Sequence, residues 1–263
     1  MKSTLLALLT FSALACATAT PVASPQCNPG HSILNATLWV QSSAEYHASA
    51  LQTYTNARRA LDAALAQGSG GLPPAVILDL DETALDNTPF ETRVIRKGMT
   101  YDSAMWKQWT SEGIAPAIPG AAEFLKYAQS RGVRAFYVTN RDLDEEPGTR
   151  RNLETLGFPL EAGADTLLMK GENGWTSDKS GRRNYVEQSH RVLLLLGDDL
   201  NDFADAREKS RAEREQIIAA SAHEWGTRWF ILPNPIYGSW ERAAIGSGGS
   251  PCEQLQRKID ALR

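Results

Sequence analysis

Five short apolar runs, separated by stretches of helical periodicity, restrict this chain to very few folds. The first, Ala75–Leu80, reads AVILDL, and Ala135–Thr139, Thr166–Met169, Val192–Leu196 and Trp229–Leu232 follow it. Runs this short and this continuously apolar read as strands buried on both faces. Between them, Ala121–Ser130, Glu145–Leu156, Arg182–Gln188 and Phe203–Ala220 carry the threes-and-fours spacing of helices. Strand and helix in alternation predict an α/β fold: a Rossmann-like parallel sheet with helices on both faces.

Two stretches stand outside that rhythm. From Leu34 to Ala66 the residues Leu38, Ala44, Tyr46, Ala50, Leu51, Tyr54, Ala57, Leu61 and Leu65 predict an N-terminal helical segment that packs and carries no chemistry. At about 85–119 the chain interrupts the alternation after the first strand and carries Phe90, Tyr101, Trp106 and Trp109. An insertion there predicts a small cap over the carboxyl edge of the sheet.

The first residues concern the compartment. Lys2 precedes an apolar run, Leu5–Ala15, too short to span a bilayer and of the length of a secretory leader. Ser12-Ala13-Leu14-Ala15-Cys16 is similar to a bacterial lipobox, with Ala13 where Leu is usual; cleavage after Ala19 is the rival reading. The chain thus divides into a leader at 1–19 (or 1–15 with a lipidated Cys16), a tether at 20–31 and a single domain at 32–263. A lipid on Cys16 would be the only membrane attachment. Cys27 and Cys252 remain, and in an exported chain they suggest a disulfide joining the termini, two free thiols being the alternative. With 27 Lys+Arg against 31 Asp+Glu, the net charge is −4 and no basic block occurs, which argues against a nucleic-acid polymer as partner.

Ligands of open α/β sheets bind beyond the carboxyl ends of the strands. Here those ends read Asp79-Leu80-Asp81-Glu82-Thr83, Thr139-Asn140-Arg141 and Gly197-Asp198-Asp199-Leu200-Asn201-Asp202. So many carboxylates at neighbouring positions repel one another unless a divalent cation lies among them. All-oxygen ligands point to Mg²⁺. Neither CxxC nor HxxxH occurs, so nothing suggests zinc.

The pattern DxDxT, then Thr139, a downstream lysine and GDDxxD resembles the four motifs of the haloacid dehalogenase superfamily. The wording is closest to the class C bacterial acid phosphatases, outer-membrane lipoproteins described as nucleotidases. It runs through residues 38–46, 77–87, 117–127, 137–141, 178–183, 194–203 and 232–241. The resemblance implies the haloacid dehalogenase fold and hydrolysis of a small phosphomonoester with Mg²⁺ as cofactor. Asp79 would be the nucleophile and Asp81 the general acid and base. Thr139, Asn140 and Lys179 would bind phosphate, and Asp79, Asp81, Asp198 and Asp202 would serve the metal. Lys170, which ends a strand, competes with Lys179, which starts a helix in the family's K-S-x-R pattern. Arg141 could touch phosphate or tie down its loop. Tyr101, Trp106 and Tyr237 would stack on a nucleoside leaving group, with cap packing as the alternative; Trp109 reads as packing. Location would be the bacterial outer membrane, the periplasm or the exterior. The rival functions are a broad acid phosphatase without nucleotide preference and a non-enzymatic binding protein on the same scaffold. The second is disfavoured because Asp79, Asp81, Lys179 and Asp198 are all present.

Overall fold

The computed structural model describes residues 27–68 and 70–263; the leader, Cys16 and the tether up to residue 26 lie outside the described residues. Strands β1 (Pro74–Leu78), β2 (Arg134–Asp142), β3 (Leu167–Lys170), β4 (Arg191–Gly197) and β5 (Trp229–Ile231) form one sheet in the order β3-β2-β1-β4-β5. All four pairings are parallel. The five runs are strands because each can bury both faces. Val76 and Leu78 enter one apolar cluster with Ala135, Tyr137 and Met169, while Ala75 and Ile77 enter the other with Phe136, Val138 and Leu168. A period of two is thus hidden inside runs that look uniformly apolar.

Helices α1 (His31–Ser42), α2 (Ala44–Ala66), α3 (Thr88–Arg96), α4 (Ser103–Glu112), α5 (Ala121–Ser130) and α6 (Glu146–Leu156) precede α7 (Ser180–Glu187), α8 (Arg211–Ala220), α9 (Ser239–Ile245) and α10 (Pro251–Asp260). Residues of α2, α5 and α6 fill the larger cluster, and Val186 of α7 joins Phe203 in the smaller one on the opposite face. After β1 the chain moves outward through β2 and β3, then returns to the other side of β1 as β4. The crevice between the carboxyl ends of β1 and β4 is therefore the topological switch point.

The cap is α3 and α4. The two ends of this insertion are sewn to each other by Asp86 N–H to the Pro116 carbonyl (2.8 Å) and Ile118 N–H to the Ala84 carbonyl (2.9 Å). Arg93 grips Glu112 across the two cap helices with contacts of 2.8 and 2.7 Å. Against α6 the cap comes so close that a Cβ on Gly148 would lie 2.3 Å from the Thr110 carbonyl oxygen.

Beyond shifts of a few residues at element ends, the elements differ from the expected ones in several places. The helical segment at 34–66 is two helices, because the Ser43 hydroxyl accepts the Tyr46 N–H and starts α2 afresh. The end of the 20–31 tether is structured: Gly30 is buried against Ile95 and Met99, and His31 opens α1. The helix expected from Phe203 begins at Arg211, where Ser210 and Glu213 close a reciprocal capping box. Helices α9 and α10 were not expected at all, and Cys252 of α10 is disulfide-bonded to Cys27. No described helix is long and apolar enough to cross a membrane.

Candidate active site

Beyond β1 the chain turns sharply. The Leu80 carbonyl accepts both Ala84 N–H and Leu85 N–H at 2.8 Å, and Glu82 adopts a left-handed φ of 57°. For a side chain with a Cβ this is a costly backbone state, held here by its surroundings. The Glu82 carboxylate accepts Asn87 N–H (2.9 Å) and the Tyr237 hydroxyl, and the Tyr54 hydroxyl donates to the Thr83 carbonyl (2.6 Å).

This turn presents Asp79, buried, with its N–H bonded to the Leu196 carbonyl of β4 at 3.0 Å. The Lys179 ammonium, buried at the start of α7, lies 2.5 Å from Asp79 Oδ1 and 2.6 Å from Asp202 Oδ1. Lys170 instead pairs with Asp142 at 2.8 Å, on the rim. Of the two competing lysines, Lys179 is the one among the acids. Asp202 turns its other oxygen to the N–H groups of Asp198 (3.1 Å) and Asp199 (2.9 Å), closing the turn after β4. That closure requires glycine at 197, where a Cβ would lie 2.3 Å from the Asp202 side chain. Asp198 accepts from Thr83 Oγ1 (3.1 Å) and Asn234 Nδ2 (2.8 Å).

Oxygens of Asp79, Asp198 and Asp202 come within 4.8 Å of one another, and Lys179 pairs with two of the three, Asp79 and Asp202. Burial pushes Asp79 up to about 7, against the downward pull of Lys179, with Asp202 and Asp81 adding to the rise. Burial, then Asp202 and Asp79, also holds Asp198 well above the usual carboxylate range. An excess of buried oxygen charge of this kind fits a hard divalent cation. The Asp81 carbonyl accepts no backbone hydrogen bond among the described residues. Asp79 differs from the other two acids: its Oδ2 has no hydrogen-bond partner among the described residues, whereas both oxygens of Asp198 and of Asp202 already have protein partners.

Asp81 is held from two sides. Arg141, itself buried, places Nη2 2.7 Å from Oδ1 and Nε 3.2 Å from Oδ2, and Asn87 Nδ2 donates to Oδ1 at 2.9 Å. Arg141 therefore ties down the loop through Asp81, and its third arm reaches Thr149 Oγ1 at 3.0 Å. Thr139 is fully buried; its hydroxyl lies 3.4 Å from Asp81 Oδ2 and accepts Arg141 N–H at 3.1 Å. Asn140 lines the cavity, with its amide spanning the Ser177 carbonyl (3.1 Å) and Arg182 Nη2 (2.7 Å).

A cavity of about 610 Å³ opens over these groups, lined by Asp79, Asp81, Lys179 and Asp198 and by Phe90, Tyr101, Trp106 and Tyr237. Trp106 stands edge-on to Phe90 at 5.0 Å and Tyr101 is tilted against Trp106 at 6.5 Å. Tyr101 is 59% exposed. Trp109 is buried and donates its indole N–H to Asn87 (2.8 Å), so it packs, as expected.

The HAD superfamily, subfamily IIIB (acid phosphatase) pattern matches residues 4–240 of this chain. The chain belongs to that family. A class C acid phosphatase from Bacillus anthracis shares the fold with a TM-score of 0.84 and 35% identity, over 90% of this chain and 98% of that one. The same B. anthracis enzyme with tungstate bound superposes with a TM-score of 0.82. Among curated relatives, a stem 31 kDa glycoprotein of Glycine max is 24% identical over 166 residues, and acid phosphatase 1 of Solanum lycopersicum is 28% identical over 167. These alignments cover 61% of this chain and 58% and 57% of the relatives' own lengths.

Within this subfamily IIIB site, several working residues escape a reading of motifs alone. Arg182 is completely buried, donating to the Thr139 carbonyl and to Thr176 O (2.9 Å), and Arg183 donates to Asn201 O (2.9 Å). Both lie in the DKSGRR segment, where two arginines beside a buried lysine are the available signal. Asn87, Glu82 and Asn234 act through contacts distant in sequence or hidden in the turn.

Proposed function

We propose that this protein hydrolyses phosphomonoesters in a divalent-metal-dependent reaction, with Asp79 as nucleophile and Asp81 as proton carrier. The observation that carries the reading is the buried group of Asp79, Lys179 and Asp202, with half-buried Asp198 beside them, at the switch point of the sheet in a chain of the acid phosphatase family.

In this reading the Asp79 carboxylate attacks phosphorus and the bond to the leaving oxygen breaks, while Asp81 gives that oxygen its proton. An aspartyl phosphate remains. Asp81 then takes a proton from a water that attacks phosphorus, releasing phosphate and freeing Asp79. Asn87 and Arg141 hold the Asp81 carboxylate in place for both transfers. Lys179 keeps Asp79 oriented and supplies positive charge for the phosphoryl oxygens, with Thr139 and Asn140 at the adjoining strand end. Mg²⁺, held by Asp79, Asp198 and the Asp81 carbonyl with Asp202 behind them, would favour ionised Asp79 and offset its repulsion from the phosphate.

The cavity also supports a nucleoside monophosphate as substrate, since Tyr101 and Trp106 offer ring faces at its mouth. Export is supported by the Leu5–Ala15 run and by the Cys27–Cys252 disulfide, which suits an oxidising compartment; a lipid on Cys16 would anchor the protein to the outer membrane.

Phosphate release should vanish in Asp79→Asn, whose amide cannot attack, while its circular dichroism stays that of wild type. Chelation should silence the wild type and Mg²⁺ revive it; full turnover after exhaustive chelation rules out the metal. Stacking of one base contributes roughly 1–3 kcal/mol, so Tyr101→Ala should lower kcat/KM for nucleotides about five- to a hundredfold and spare phosphoserine. Tyr101 is the cleaner ring to remove, because Tyr237 also holds Glu82 beside the nucleophile turn. Equal effects on both substrates would favour a broad acid phosphatase.

A further inference from the structure

Glu91 of α3 is a buried carboxyl in the cavity wall that the chemistry above leaves unused. It is 4% exposed and lines the cavity next to Phe90, its neighbour in the chain and part of the aromatic wall. The other buried acids all have partners: Asp79 and Asp202 share Lys179, Glu82 takes Asn87 and Tyr237, and Glu145 takes Thr110 Oγ1 (2.8 Å) and Asp142 N–H (2.6 Å). Among the described residues no donor reaches the Glu91 carboxylate. Burial alone pushes its pKa, up to about 8. A carboxyl this deeply set, with no protein partner and open only to the cavity, is costly to keep, and native proteins retain one where something else supplies the hydrogen bond.

Its surroundings say what that is. The cavity that Glu91 lines is lined also by Ser32 and Ile33 of α1 and by Phe90, Tyr101 and Trp106 of the cap. Tyr101 and Trp106 face the leaving group in the reading above, whereas the metal-site acids lie at the ends of β1 and β4. An aromatic wall holds flat or apolar surface and cannot tell one such group from another. A single unpaired carboxyl among the rings supplies the missing discrimination, because it is satisfied only by a partner carrying O–H or N–H.

We propose that Glu91 is a hydrogen-bonding subsite for the leaving group, selecting phosphomonoesters whose alcohol carries a hydroxyl or amino donor, as a nucleoside does, over bare aryl esters. The inference rests on the nucleotide reading of the same cavity. The two donor sources, sugar and base, are separable.

The test measures kcat/KM in the Mg²⁺-loaded enzyme for wild type, Glu91→Leu and Glu91→Gln. The substrates are AMP, 2′,3′-dideoxy-AMP, purine riboside monophosphate and phenyl phosphate. Glu91→Leu should lose about tenfold or more on AMP and stay within about twofold on phenyl phosphate. It should also match wild type on whichever analogue lacks the recognised donor: the dideoxy compound if the sugar is read, the purine riboside if the amine is. Glu91→Gln, still able to hydrogen-bond, should keep part of the AMP preference. Tm should rise in Glu91→Leu, since an unpartnered buried carboxyl is gone; a purely structural carboxyl would lower it. Equal losses on all four substrates, or a lowered Tm with uniform loss, would make the residue part of the fold and overturn the subsite. If wild type prefers AMP and Glu91→Leu prefers it equally, the subsite alone fails. If wild type shows no preference for AMP over phenyl phosphate, the nucleotide reading fails and takes the subsite with it.

Discussion

Asp81 is gripped by Arg141 before any substrate arrives, through Nη2 at 2.7 Å and Nε at 3.2 Å, and the guanidinium is in turn buried beneath Trp106 at 5.6 Å from its ring. A planar fork with this many fixed donors is not reproduced by lysine. Arg141→Ala and Arg141→Lys should therefore both lower kcat, by about ten- to a hundredfold, with KM changing less, because a proton carrier out of line affects the transition state more than binding. Steady-state kinetics on phenyl phosphate checks this. Undiminished kcat in Arg141→Lys would mean that charge near Asp81 is enough and orientation is not needed. Arg141 acts here through Asp81, as a positioning residue.

Among the elements, α10 is the one most dependent on a covalent tie. No residue of α10 is buried, yet Pro251, Gln254 and Lys258 line the cavity. What holds it is the Cys27–Cys252 bridge and a 2.7 Å ion pair from Lys258 to Glu241 of α9. The link before it has Gly246, Gly248 and Gly249 at positive φ, and α10's own side chains tie it down: Arg257 donates to the Ser247 and Gly248 carbonyls and Gln254 to the Gly249 carbonyl (3.1 Å). A double Cys27→Ser, Cys252→Ser variant should lose up to about 5 kcal/mol of stability in the chain-entropy account, seen as a lower Tm. Locally, limited proteolysis of the reduced protein should cut first at 246–249, and cleavage there should raise KM more than it lowers kcat. An unchanged digestion pattern would show that packing alone retains the helix.

For the whole molecule, the buried acids make stability depend on pH and on metal together. Asp79 titrates near 3.8 when unfolded and near 7 in the metal-free fold. Between those values the folded state keeps a proton that the unfolded chain has released, so stability falls as pH rises. Three pKa units correspond to about 4 kcal/mol at most. Asp198 and Glu91 shift in the same direction. Lys179, raised by Asp202 and Asp79 against its desolvation, contributes stability that is constant through this window, being charged in both states below its unfolded value of 10.5. The carboxyls held low by partners, such as Glu213 and Glu253, are exposed and weigh little against it. Tm of the metal-free protein should drop from pH 4 to pH 7, and Mg²⁺ should restore it at pH 7 while doing little at pH 4. A melting temperature that rises across that interval would contradict the account.

The strand order of chemistry was legible in the residues themselves. Five apolar runs alternating with helical stretches predict a doubly covered parallel sheet, whose parallel strands bring the acids that end the first and fourth runs to one carboxyl edge. The strand order then makes those two strands neighbours. Local rules also placed α5 at Ala121–Ser130, residue for residue. Local competition was harder to see: the Ser43 hydroxyl splits one periodic stretch in two, and the Ser210 capping box delays α8, because side-chain oxygens satisfy free N–H groups that periodicity does not register. Contacts between distant segments were beyond the sequence. Nothing in DxDxT says that Asp81 faces Arg141, that Tyr237 reaches Glu82 across 155 positions, or that Glu91 is left without a partner. Those relations depend on which side chains crowd a given point once the cap, the sheet edge and α10 have packed. Residue type and spacing set what each group can do, and burial and neighbours, which only the tertiary structure supplies, decided which of them stand in the site and in what charge state.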